Sequence, residues 1–178
     1  VNGPVAWNAF LESDYRPERL VKVEALRYLN LTKLPKKRKI APENQKFTHQ
    51  SDHCHKKILV VGDMIPMSNH RLLIDIEKTM QILPDHFDLT FKPHPGLDVD
   101  LKHYPSMMIQ KTSDALENIL CFFDLVISAN STSASVDAYL AGLPVIIRID
   151  GSSLNLSPLR GQDSVCFVSL VDDFVKAI

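Results

Sequence analysis

No apolar run in the sequence approaches the roughly 20 residues needed to cross a bilayer, and no signal-peptide pattern is visible. Net charge is nearly absent: 20 basic against 21 acidic residues leave −1. That is too little basic excess for a protein held to nucleic acid through its phosphates, so no nucleic-acid partner is expected. Cysteine is scarce. Cys54, Cys121 and Cys166 are an odd number, widely spaced, and two stand in apolar segments. This suits reduced cytosolic thiols better than a disulfide framework. Glycine is scarce too, and no GxGxxG follows the first apolar strand, nor is there a GxxxxGK[ST] or a GxSxG. A dinucleotide fingerprint, a P-loop and a hydrolase elbow therefore lack support. His53-Cys54-His55 carries ligand-type atoms, but its spacing sends the side chains to alternate faces and no second pair stands at a zinc spacing, so no metal is expected.

What is present is an ordinary globular composition, 45% hydrophobic and 23% charged, arranged in three stretches. Residues 1–31 read as the end of an amino-terminal domain: Pro4 can start a helix, and residues 18–31 fit a helix or a strand equally. Residues 32–57 read as a linker, poor in apolar side chains and holding Lys36-Lys37-Arg38-Lys39; that cluster permits peripheral contact with a membrane surface. Residues 58–178 alternate regularly. The pattern predicts strands at 58–61, 87–92, 107–110, 125–127, 145–147 and 165–168. Helices fall between them, one capped by Ser68 or Asn69 and carrying Leu72, Leu73, Ile76, Met80 and Leu83, others at 114–122, 134–141 and 170–178. Such alternation implies an α/β fold, a doubly wound parallel sheet with its ligand at the carboxyl ends of the strands. The chain starts at Val1 and stops inside a helical pattern, which reads as a piece of a longer protein.

Three predicted strand-end loops carry unusual chemistry. In Lys92-Pro93-His94-Pro95 each proline holds the residue before it extended, so His94 is presented stiffly. A histidine in a plain turn is the bland alternative. The turn Asn130-Ser131-Thr132-Ser133, preceded by Ser128, offers small hydroxyls and free backbone N–H groups where a helix begins, a place that favours phosphate. Helix capping would need only one such residue and stabilises by roughly 1 kcal/mol. Asp137, one turn deeper on that helix, is placed for sugar hydroxyls or for a favourable charge near the helix start, readings of equal weight. The long loop 148–160 begins and ends with arginine; Arg148 and Arg160 could clamp phosphate or a sugar carboxylate, or simply lie on the surface. Gly62, with Asp63, ends the first strand and borders the same cleft.

Together these residues resemble the carboxyl-terminal half of a GT-B glycosyltransferase. Asp137-Ala138, three residues, then Gly142-Leu143-Pro144-Val145-Ile146 is similar to the E-A-x-x-x-G-x-P-V-I donor segment of that superfamily, with Asp for the usual Glu. Lys92-Pro93-His94-Pro95 resembles the His-Pro motif of bacterial sialyltransferases and related capsule enzymes, and Ser131-Thr132 after Ser128 resembles their Ser-Ser/Thr motif. Asn2-Gly3-Pro4-Val5-Ala6 and Val23-Glu24-Ala25-Leu26-Arg27-Tyr28 look like the end of the amino-terminal half in surface-carbohydrate biosynthesis proteins. The resemblance implies a Rossmann-like domain that binds a nucleotide-sugar donor, a CMP-activated nonulosonic acid. His94 would stabilise the leaving phosphate, Lys92, Pro95, Ser128, Asn130, Ser131, Thr132, Ser133, Asp137, Gly62 and Arg148 would line the site, and no cofactor would be needed. It further implies a glycan or glycolipid acceptor, a cytoplasmic location at the inner face of a membrane, and a general base outside these residues. A sugar-nucleotide epimerase, a polyol-phosphate transferase or a non-catalytic scaffold of the same fold remain alternatives.

Overall fold

Six β-strands form one all-parallel sheet in a computed structural model that describes residues 18, 56–83, 87–130, 132–151, 154–155, 157–162 and 164–178. The readings of residues 1–31 lie outside the described residues apart from Glu18, as do Lys36 to Lys39, His53-Cys54-His55 and Ser131. The first strand, β1 (Lys56–Val61), turns its β-branched and leucine side chains to both faces. It begins inside the stretch read as linker, because Lys56 and Lys57 continue the ladder opposite Phe87 and Asp88. Helix α1 (Pro66–Ile82) opens with proline at its first turn, where the missing N–H costs nothing and φ is already helical. Asn69, Leu72, Leu73, Ile76 and Thr79 recur at helical spacing and are the face it buries.

Strand β2 (Phe87–Lys92), strand β3 (Ile109–Lys111) and the short helix α2 (Leu116–Ile119), continued by a 3-10 turn (Leu120–Phe122), complete the first half. The second half is β4 (Leu125–Ala129), α3 (Ala134–Leu140), β5 (Val145–Arg148), β6 (Val165–Val168) and α4 (Val171–Ala177). The strand order is β3-β2-β1-β4-β5-β6. Order reverses between β1 and β4, which makes that gap the topological switch point of a Rossmann-like sheet.

The pleat sends alternate residues to opposite faces, and the core is divided accordingly. Ile58, Val60, Phe91, Ile127 and Ile146 pack with Leu72, Leu73 and Ile76 of α1 and Phe174 of α4. Leu59, Val61, Val126, Val145 and Ile147 pack on the other face with Ile119, Leu120, Ala138 and Leu143. Burying each of these larger aliphatic side chains contributes roughly 1.5–3 kcal/mol, so the sheet is a rigid frame for the loops at its edges. Gly142 stops α3 with φ 82°, a backbone region that favours glycine. Among the described residues no helix is long and apolar enough to cross a membrane.

Candidate functional site at the carboxyl edge

Register brings the predicted strand ends into one row. Val61 stands opposite Lys92 on one side and Ser128 on the other, and Ser128 stands opposite Ile147. The loops after β1, β2, β4 and β5 therefore leave the same edge. The loops of β2 and β4 are not neighbours, however, because β1 stands between them. Two strand spacings, about 10 Å, separate their backbones, and the Gly62-Asp63 loop fills the middle.

That middle loop is a clasp whose tightness sequence reasoning missed. Asn69 closes it from α1: its Oδ1 accepts from the Asp63 N–H at 2.8 Å and its Nδ2 donates to the Asp63 carbonyl at 2.9 Å. The Asp63 carboxylate accepts from the Ile65 N–H and the Ser68 hydroxyl, each at 2.8 Å. Asp63 is only 3% exposed and Asn69 1%. Ser68 and Asn69 thus secure the helix start from within its first turn, whereas the sequence suggested one of them as its cap. A Cβ on Gly62 would come within 2.8 Å of Asn69 Oδ1 and 3.0 Å of Phe91 Cζ, so the clasp requires glycine. The signal available in sequence was Gly-Asp after an apolar strand; Asn69, six residues on, was read as a helix cap and not as the partner of Asp63.

Dinucleotide-binding proteins use this strand order too, with the pyrophosphate at the helix start after β1. Here the Asp63 carboxylate already takes that position and satisfies the Ile65 N–H. A second anion there would meet a buried negative charge, and the missing GxGxxG agrees with that exclusion.

His94 is fixed by its own turn. The Leu97 N–H donates to the His94 carbonyl at 2.9 Å, closing a turn with Pro95 and Gly96 at its centre. The Gly96 N–H donates to His94 Nδ1 at 3.1 Å. A ring nitrogen that accepts carries no proton, so the neutral imidazole holds its proton on Nε2. The outcome is a half-buried ring whose remaining nitrogen is a donor. Lys92 points to the α2 side and donates through Nζ to the Asp114 carbonyl; an ammonium has three N–H donors, so that bond leaves capacity. Lys111 on β3 bonds Asp98 and the Val99 carbonyl, anchoring the chain just after the turn. The hydrogen bond and charge from Lys111 hold the Asp98 carboxyl below its usual value.

At the β4 end the hydroxyls are partly committed. Thr132 Oγ1 accepts from the Ala134 N–H at 3.3 Å, and the Ser135 hydroxyl donates to the Thr132 carbonyl at 2.9 Å. Both are local capping bonds. Ser133 is the exposed N-cap residue of α3, a helix of only 7 residues. Asp137 lies in its first turn and is half-buried. Among the described residues two buried side-chain atoms have no hydrogen-bond partner, Ser128 Oγ and Asn130 Oδ1. Asn130 Nδ2 donates to the Leu154 carbonyl at 3.0 Å, tying the turn to the loop after β5.

Arg148 is the residue the sequence placed least well. Its Nε pairs with Asp75 Oδ2 at 2.6 Å, with the side chains 12% and 16% exposed. It faces α1 and braces helix against sheet, so no part of the anion argument rests on it. Arg71 reaches Asp150 at 3.6 Å across the same junction. Arg160, Pro95 and Gly96 are exposed. The loop after β5 is anchored more firmly than its polarity suggested, because Leu159 is 5% and Ser157 0% exposed. Cys121 and Cys166 are both exposed free thiols. Among the described residues no group of three His, Cys, Asp or Glu side chains could hold a metal ion.

A cavity of about 830 Å³ opens at the opposite edge, lined by Lys57, Phe87, Met107 and Phe122 among others. It lies at the amino ends of β1 and β2, the far end from the loops that carry His94 and the hydroxyls. No protein-family model matches the chain, and no curated protein matches it.

Proposed function

We propose that this domain holds the nucleotide-sugar donor of a glycosyltransferase in surface polysaccharide biosynthesis, capsule or lipopolysaccharide, and that the donor is a CMP-activated nonulosonic acid. The observation that carries the reading is His94, a ring pinned through Nδ1 so that Nε2–H is left to donate at the ligand-binding edge of the sheet. Negative charge grows on the nucleotide phosphate as the sugar departs. A donor already aimed at that oxygen needs no reorganisation when the charge appears, and such donors lower barriers by several kcal/mol. Lys92, the last residue of β2 and directly before Pro93, adds cationic N–H donors beside that loop.

The remaining roles follow from the loops around it. Gly62 permits the close packing of the middle loop, and the β4 turn with Ser128, Asn130, Thr132 and Ser133 forms the opposite flank. Asp137 lies beyond it, suited to sugar hydroxyls. The reaction needs no cofactor, because the activated donor supplies the leaving group. A base must take the proton of the acceptor hydroxyl, from a glycan or glycolipid. Asp63, Asp75 and Asp150 are engaged in the clasp and in ion pairs, which favours a base outside these residues. The 178-residue chain would then bind nucleotide weakly and turn nothing over alone, at the cytoplasmic face of a membrane.

The test is turnover of CMP-sugar by an enzyme that contains this domain. His94→Ala should lower it by roughly 10²–10³-fold. His94→Gln, which keeps an N–H donor near the same place, should retain more. Near-native turnover in His94→Ala would remove His94 from the mechanism. Product analysis with a panel of donors separates transfer from epimerisation and from polyol-phosphate transfer.

A further inference from the structure

We infer that Asn130 reads a hydrogen-bond donor of the bound nucleotide, a ribose hydroxyl or a base N–H, and takes no part in gripping phosphate. The inference rests on the donor-binding reading above and sharpens it. Asn130 directly follows β4, on the far side of the switch point from Gly62. Its Nδ2 donates to the Leu154 carbonyl at 3.0 Å. That bond decides which end of the amide is which, since turning it over would set Oδ1 against a carbonyl oxygen with no proton between them.

Oδ1 is therefore directed away from Leu154, and there it is buried without a hydrogen-bond partner. A buried acceptor left unmatched destabilises the fold, and its persistence at a ligand-binding edge marks an atom whose partner arrives with the ligand. Phosphate oxygens are acceptors at neutral pH and cannot serve. The donors that a nucleotide offers are its ribose hydroxyls and the N–H groups of its base. Ser128, two residues earlier, carries the second orphaned atom and is 0% exposed. A hydroxyl both donates and accepts, so Ser128 makes no such choice; Asn130, with its donor end occupied, does.

Calorimetric titration of the native chain and of Asn130→Ala with CMP, 2′-deoxy-CMP, 3′-deoxy-CMP and UMP tests this. Asn130→Ala should weaken CMP about tenfold, the scale of one hydrogen bond in a shielded site. The analogue that lacks the contacted donor should bind the native chain weaker by a similar factor and be indifferent to Asn130→Ala. A deoxy analogue behaving so identifies the ribose hydroxyl, and UMP behaving so identifies the cytosine amine. Equal losses for all four nucleotides, or unchanged CMP affinity, would overturn the role of Asn130 while leaving the donor site standing. No binding of any of the four to the native chain would overturn both. Asn130→Ser provides the same comparison if the alanine variant does not fold, as judged by circular dichroism.

Discussion

Gly62→Ala puts the clasp at the switch point under direct load. The added methyl would sit 2.8 Å from Asn69 Oδ1, 3.2 Å from Asn69 Cγ and 3.0 Å from Phe91 Cζ. All are well inside ordinary contact, and neither neighbour can swing away: Phe91 is 0% and Asn69 1% exposed. Overpacking of this kind costs about 1–3 kcal/mol. If Asn69 yields, the Asp63 N–H and carbonyl lose their partners, at about 1–3 kcal/mol for a buried group left unsatisfied. The two costs are alternatives in part, since moving Asn69 relieves the clash, so the expected loss is about 2–4 kcal/mol. Urea denaturation followed by circular dichroism reads it as a lower midpoint at unchanged slope. Gly151→Ala is the comparison: nothing lies within 4 Å of its added Cβ, but φ is +64°, so backbone strain alone should cost about 1–2 kcal/mol. A Gly62→Ala loss below that of Gly151→Ala would refute the close-packed clasp.

Arg148→Met should cost up to about 3 kcal/mol by leaving Asp75 a partly buried, unpaired charge, and Arg148→Met with Asp75→Leu should recover most of it; thermal melts of the native protein and the two variants decide, and an undiminished loss in the double variant would contradict the ion-pair account. Burial, helped by the Glu77 charge, raises the Tyr104 phenol above its usual value of 10.0. A raised folded value means that the unfolded chain releases its proton first, so stability should fall as pH rises from about 10 through the folded value. Tyr104→Phe should flatten that alkaline decline, at the expense of the 2.8 Å bond to His70 Nδ1, and an identical alkaline slope in both proteins would count against it.

How far the sequence disclosed all this depends on how local the cause is. The span of β2 and the apolar face of α1 were legible, because the alternation of Phe87, Leu89 and Phe91 with polar residues and a 3.6-residue period are written into neighbouring positions. The order of the strands was not, since hydrogen-bond pairing such as Val61 with Ser128 joins residues far apart in the chain. His94 could be singled out from its two prolines, but its tautomer depends on the Gly96 N–H, a matter of turn geometry. Arg148 was misjudged for the same non-local reason: its partner Asp75 stands 73 positions earlier, on a helix that only the packed fold brings beneath it. The Asn130 amide shows the limit most clearly. Its residue type marked it as polar, and only the Leu154 carbonyl reveals which of its two ends is engaged within the fold.

The central claim is that a nucleotide sits across the carboxyl ends of β1, β2 and β4. Following backbone amide shifts of the labelled chain while CMP is added tests it most directly. The account predicts saturable shifts concentrated at Gly62, His94, Gly96, Asn130 and Ala134. Shifts that gather instead around Phe87, Met107 and Phe122 at the opposite edge, or no saturable shifts at all, would contradict it.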